Sequence, residues 1–257
     1  MKEILSPFIS KQKFLQMLLC SFIFIGMAVP FKVMVLIDGF TEVRPVNAVP
    51  VVAGLLFGPA GAWGCAIGNL VSDLSGTFSK ASVLGFVGNF IAAWLPYRLW
   101  HMNGKNEAPN VKTPAKLIKY VGICAMSALS TALLIACGLD VIFKLWMPKV
   151  FFIILINNLG FSVLLGLPVF IVLTTDDSNL RITLPAKPSA SKYRKHFRIN
   201  YIILSSLMAS EAILLAAISL GKQTSNSLLL SMIFIIFIIS LCFLAVVNWH
   251  YKPLYNS

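Results

Sequence analysis

A chain of 257 residues that is 58% hydrophobic and only 12% charged, with a mean hydropathy of +0.85, lies far outside the composition of water-soluble domains. This excludes a soluble enzyme. The net charge of +12 falls mainly between apolar runs, so topogenesis explains the basicity and nucleic acid is excluded as a partner. The fold class that remains is all-α, a polytopic transmembrane helix bundle.

Runs of about 20 apolar residues cross roughly 30 Å of hydrocarbon as helix, and the first is Phe14 to Ile37. Lys11 and Lys13 precede it, and Gly26-Met27-Ala28 offers small residues at positions a signal peptidase accepts. The run continues past Pro30, so the reading is a retained helix. A polar segment follows, Asp38 to Asn47, with Glu42 and Arg44. Val46 to Ser75 is too long for one ordinary span and contains Gly58-Pro59, where proline removes a donor and clashes with the preceding turn. Two short helices are predicted, Val46 to Phe57 and Pro59 to Ser75. Ser82 to Trp100, Leu117 to Leu139 and Val150 to Leu173 are full spans. A basic linker, Thr174 to Asn200, suited to anionic lipid, leads to a last pair, Tyr201 to Leu220 and Ser227 to Trp249.

Eight helices with the N-terminus inside leave only Lys32, Arg44, Lys80, Lys144, Lys149 and Lys222 of the 21 lysines and arginines outside, an asymmetry of the positive-inside kind. Fusing the two short helices gives seven spans with the N-terminus outside and 14 against 7. Both arrangements put Arg98 to Lys119 and Thr174 to Asn200 in the cytoplasm, and Ser75 to Ala81 and Asp140 to Lys149 outside. The expectation is a multi-pass protein of a bacterial-type cell membrane, with cytoplasmic N-terminus and basic loops.

All five cysteines lie in apolar runs without metal-ligand spacing, and the three histidines are scattered at helix ends or loops, so no metal or cofactor is expected. The chain has no Gly-rich phosphate loop ending in Gly-Lys-Ser/Thr, and ATP-driven work therefore requires a partner. Asp176-Asp177 reads as a solvated loop pair. No catalytic residues are assigned.

Small residues mark close helix approach in lipid. Ala60, Gly64 and Gly68 form a ladder at steps of four, and Gly54 and Gly58 form another; they pack either within the bundle or against a partner helix. Polar residues inside spans are expensive and mark ligand paths or interhelical bonds. Asn69, Asn89 and Asn157 lie six or seven residues from the same ends of their helices, about 10 Å deep at 1.5 Å per residue. Asp73 follows Asn69 at i+4, on the same face. Together with Asn158 they predict an outward-opening cavity, walled by Trp63 and Trp94, with Glu42, Arg44 and Asn47 at its mouth. Glu211 is the buried charge of the last pair, either protonated or paired across helices.

The segment Asn47-Ala48-Val49-Pro50-Val51-Val52-Ala53-Gly54-Leu55-Leu56-Phe57-Gly58-Pro59-Ala60-Gly61-Ala62-Trp63-Gly64, followed by Gly68-Asn69 and Asp73, resembles the substrate-binding S components of energy-coupling factor (ECF) transporters. Gly85-Phe86-Val87-Gly88-Asn89-Phe90, Pro96-Tyr97 and Asn157-Asn158 are similar to other S-component segments. The resemblance covers roughly residues 10 to 175. It implies a six-helix core over 1–175 that captures a vitamin-like micronutrient and works with an ECF transmembrane subunit and ATPase subunits. Residues 176–200 then form a basic cytoplasmic loop and 201–257 an added transmembrane hairpin. Two other classes stay open: an ion-coupled secondary transporter, favoured by Glu211 and the added hairpin, and a membrane sensor or scaffold.

Overall fold

The computed structural model describes residues 3–31, 35–37, 41–76, 78–102, 107–175 and 190–246, with 35–37, 41–42, 190–198 and 246 described by backbone alone. Its helices are α1 (Lys11–Ala28), α2 (Ala48–Phe57), α3 (Pro59–Leu74), α4 (Lys80–His101), α5 (Pro114–Phe143), α6 (Pro148–Phe161), α7 (Leu167–Leu173), α8 (Ala190–Ser219) and α9 (Leu228–Val246). A π-helical segment, Ser162–Gly166, joins α6 to α7, so Pro148–Leu173 runs as one rod. Eight rods result, an all-α polytopic bundle. The departure from helix is a short antiparallel ribbon after α1, β1 (Val35–Ile37) against β2 (Thr41–Glu42), with Val35 opposite Glu42.

The helix boundaries follow local chemistry. Gly58 takes φ +54°, and a Cβ there would lie 3.0 Å from the Tyr97 ring, so the α2–α3 break requires both glycine's left-handed freedom and its missing side chain. Pro59 then starts α3 at a position where no N–H is needed. Ser79 and Ser82 form a capping box at the start of α4. Pro96 lies inside α4 and cannot donate to the carbonyl of Ala92 one turn back. Ser127 Oγ of α5 donates to that carbonyl instead, at 2.9 Å. A chain defect in one helix thus becomes a bond to its neighbour. α8 begins at Ala190, within the segment expected to be loop, because Lys, Arg and Ala favour helix; its membrane-length apolar part is Ile199–Ser219.

The small-residue ladders are filled from within the chain. A Cβ at Gly64 would lie 2.5 Å from Cys20 Cβ, one at Gly68 2.7 Å from Phe24 Cβ, and one at Gly54 1.8 Å from the carbonyl oxygen of Ala93. Ala60 is fully buried. α4 thus lies against Gly54 and Gly58, and α1 against Gly64 and Gly68, which favours packing within the bundle of the two readings left open for these ladders.

α8 and α9 pack on each other and on α4 and α5, and three polar contacts fasten them at three heights. Arg98 Nε donates to Leu244 O at 2.9 Å. Ser130 Oγ donates to Glu211 Oε1. At the far end Asp140 accepts from Ser225, from its backbone N–H at 2.9 Å and its hydroxyl at 2.6 Å. Arg98, Ser130, Asp140 and Glu211 are all buried, so on at least one side each bond is shielded from water.

Candidate functional site

Asn69 and Asp73 sit one turn apart near the end of α3, and both are buried. The loop leading into α2 brings Arg44 over them. Arg44 Nη2 donates to Asn69 Oδ1 at 2.8 Å, and Asn69 Nδ2 donates to Asp73 Oδ2 at 3.2 Å. A guanidinium, an amide and a carboxylate are thus linked in series, the amide passing a hydrogen bond from the cation toward the anion.

Across this chain lies α4. A Cβ at Gly85 would lie 3.1 Å from Asn69 Nδ2 and 4.0 Å from Asp73 Oδ2, so the missing side chain lets α4 approach the two polar groups closely. Asn89, one turn further on, is buried and donates from Nδ2 to the carbonyl of that same Gly85 at 2.9 Å. The structure therefore gathers Arg44, Asn69, Asp73, Gly85 and Asn89 at one end of the bundle.

α6 closes the far side. Asn157 and Asn158 are buried on a helix that packs against the Pro45–Asn47 turn and β2, the elements flanking Arg44. Asn47 is buried, and its carbonyl accepts from Ser162 Oγ at 3.2 Å. Tyr120 Oη donates to Ser162 O at 3.0 Å. The π segment, whose widened turn frees backbone groups, is thus tied to the entry of α2 and to α5. No bond links Asn157 or Asn158 directly to Asn69 or Asp73 among the described contacts. Glu42 is described only through its backbone in β2, and Asp38, Gly39 and Phe40 lie outside the described residues.

Trp94 departs from expectation. It is nine residues from Gly85, about 180° around the helix, and joins an aromatic ladder that leads away from the polar cluster. Ring centroids are separated by 5.1 Å from Trp63 to Phe90, 6.1 Å to Trp94, 5.4 Å to Tyr97 and 5.0 Å to His101. At the opposite end of the bundle the N-terminal segment covers this ladder: Tyr97 Oη donates to Glu3 Oε1 at 2.7 Å and Trp63 Nε1 to Ile4 O at 2.9 Å. Trp63 and Trp94 therefore belong to this aromatic ladder.

Chemically the cluster is equipped for recognition. The Asp73 carboxylate accepts one side-chain hydrogen bond among the described residues, from Asn69, of the roughly four a carboxylate can take. Its remaining acceptors, with donors on Arg44 and the asparagines, match a polar ligand that presents both donors and acceptors. Among the described residues no group of three His, Cys, Asp or Glu side chains could hold a metal ion. The sequence places Arg44 at the mouth of the expected cavity; its bond to Asn69 has no sequence signal, since 25 residues and a helix reversal separate the two.

Comparison with known proteins adds one match. A family model described as QueT transporter matches residues 9–175. No curated protein and no solved structure matches the chain.

Proposed function

The chain belongs to the QueT transporter family, a family of ECF-type S components, and from that premise we propose that it captures a queuosine precursor for uptake. The observation that carries this reading is the linked Arg44, Asn69 and Asp73 chain, packed against α4 at Gly85. A queuosine precursor is a guanine-type base, with ring N–H and amino donors along one edge and a carbonyl acceptor beside them. Asp73 suits the donors, and Arg44 or an asparagine amide suits the carbonyl. Asn89, Asn157 and Asn158 supply further polar groups from α4 and α6, and Glu42 and Asn47 frame the entry.

In this reading the Asp73 end faces outward, because Arg98 and Lys119 lie at the other ends of α4 and α5, the ends that adjoin the more basic segments of the sequence. Reporter tags after Asn106 and Ser189 should read cytoplasmic, and one after Lys144 external. Residues 1–175 form the capture core, 176–200 a cytoplasmic linker, and 201–257 an accessory hairpin. Transport is driven by a separate transmembrane subunit and ATPase subunits, consistent with the absence of a phosphate loop in this chain.

The test is calorimetric titration of the purified full chain with a queuosine-precursor base. Binding weakened in Asp73→Ala by more than the change in melting temperature accounts for supports the reading. Equal binding in Asp73→Ala and the parent overturns the site, and no binding of any such base by the parent overturns the substrate. Cellular uptake that follows an ion gradient and persists without ATPase subunits would favour the secondary-transporter class.

A further inference from the structure

Away from the Arg44 cluster, the turn between α8 and α9 and the loop between α5 and α6 enclose an open groove of about 520 Å³, lined by Trp146, Lys222, Gln223, Asn226 and Ser227, among others. These residues lie just beyond the ends of four candidate spans: Pro114–Phe143, Pro148–Leu173, Ile199–Ser219 and Leu228–Ala245. The groove therefore opens at the level where hydrocarbon gives way to headgroups, a position that suits tryptophan.

Its frame is fixed by hydrogen bonds. Gly221 takes φ +68°, and the backbone N–H of Lys222 donates to Ala217 O at 2.8 Å, closing α8. Ser225 is held by Asp140 through two hydrogen bonds, and Ser231 Oγ donates to Thr224 O at 2.9 Å. Asn226 donates to the Gln223 side-chain oxygen, which turns the Gln223 amide nitrogen free as a donor.

The charge of this corner is positive. Segments 137–149 and 220–230 contain Lys144, Lys149 and Lys222 and a single acid, Asp140. Asp140 is 1% exposed and already engaged by Ser225, whereas Lys144, Lys149 and Lys222 stand in exposed positions. Beside the polar groove, Leu220, Leu228 and Leu229 are 74%, 81% and 66% exposed at the ends of the same two helices. Cation and amide donors thus adjoin an uncovered apolar shoulder, which a free phosphate would not use and an acyl chain would.

We propose that this groove binds the headgroup of an anionic phospholipid, with the phosphate at Lys222 and Ser227 and an acyl chain along Leu220, Leu228 and Leu229. Trp146 forms the opposing wall at the level of the glycerol backbone. The site is independent of the Arg44 cluster and of its substrate.

Native mass spectrometry of the full chain, released from nanodiscs of equimolar phosphatidylglycerol and phosphatidylcholine, tests the assignment. Phosphatidylglycerol should be retained in preference, and Lys222→Gln should lower that retention about fivefold, the weight of one cation near a lipid surface. Lys222→Arg should restore it, and Lys11→Gln, an exposed lysine at the other end of the bundle, should leave it unchanged. Equal retention of the two lipids, or no change in Lys222→Gln at unaltered melting temperature, overturns the proposal. Displacement of the lipid by millimolar glycerol 3-phosphate as readily as by short-chain phosphatidylglycerol also overturns it, because the acyl shoulder would then contribute nothing.

Discussion

Between residues 9 and 175 the polar side chains buried near the Asp73 end meet one another, Arg44 to Asn69 to Asp73. In the hairpin three polar groups instead meet another region: Glu211 is held by Ser130, Ser225 by Asp140 and the Leu244 carbonyl by Arg98. The first arrangement concentrates hydrogen-bonding capacity in one place and leaves some of it unused. The second distributes bonds along the height of the bundle, holding two helices to α4 and α5. Convergence, more than burial or charge, distinguishes the proposed binding cluster from a set of fasteners.

Four substitutions break or sharpen this contrast. The largest effect belongs to the scaffold both regions share: Gly54→Ala drives a methyl group into the Ala93 carbonyl and should destabilise by about 3 kcal/mol or more, seen as loss of folded protein in detergent. Next, Asp73→Ala should weaken ligand binding roughly 10- to 100-fold, the worth of a hydrogen bond to a charged group, with a smaller change in melting temperature. Asp140→Ala leaves the Ser225 N–H and hydroxyl without their acceptor and should cost about 1 to 3 kcal/mol. It should also open the α8–α9 turn to protease while ligand affinity stays at the parent value. Ser130→Ala should have the smallest effect, about 0.6 kcal/mol for one interhelical bond in a membrane, read in a thermal melt. A fall in ligand affinity in the Asp140 or Ser130 variants would erase the distinction between cluster and fasteners.

Much of this was legible in the chain itself. The break at Gly58-Pro59, the six-helix core and the extra hairpin follow from hydropathy, proline chemistry and family resemblance. The pairing of Asn69 with Asp73 follows from helical spacing, because i and i+4 are neighbours whatever surrounds them. Contacts that depend on how one helix is rotated against another were not legible. Trp94 shares a helix and an approximate depth with Asn89, yet rotation places it in the ladder with Phe90 and Tyr97. Asp140 reads as the start of a loop, and only the docked turn at Ser225 shows it to be buried. The glycine ladders announce close packing but not the identity of the neighbour, since a vacancy in a side chain has no chemical label.

The approach of Gly54 to Ala93 carries an evolutionary consequence. No side chain, however small, fits where a Cβ would stand 1.8 Å from a carbonyl oxygen, so no gradual substitution path leads away from glycine at this position. Homologues that have changed ligand should differ around Asn69, Asp73 and Asn89 while Gly54 stays fixed across all of them. An alignment of descendants would then divide into columns that record ancestry of the scaffold and columns that record what each lineage feeds on.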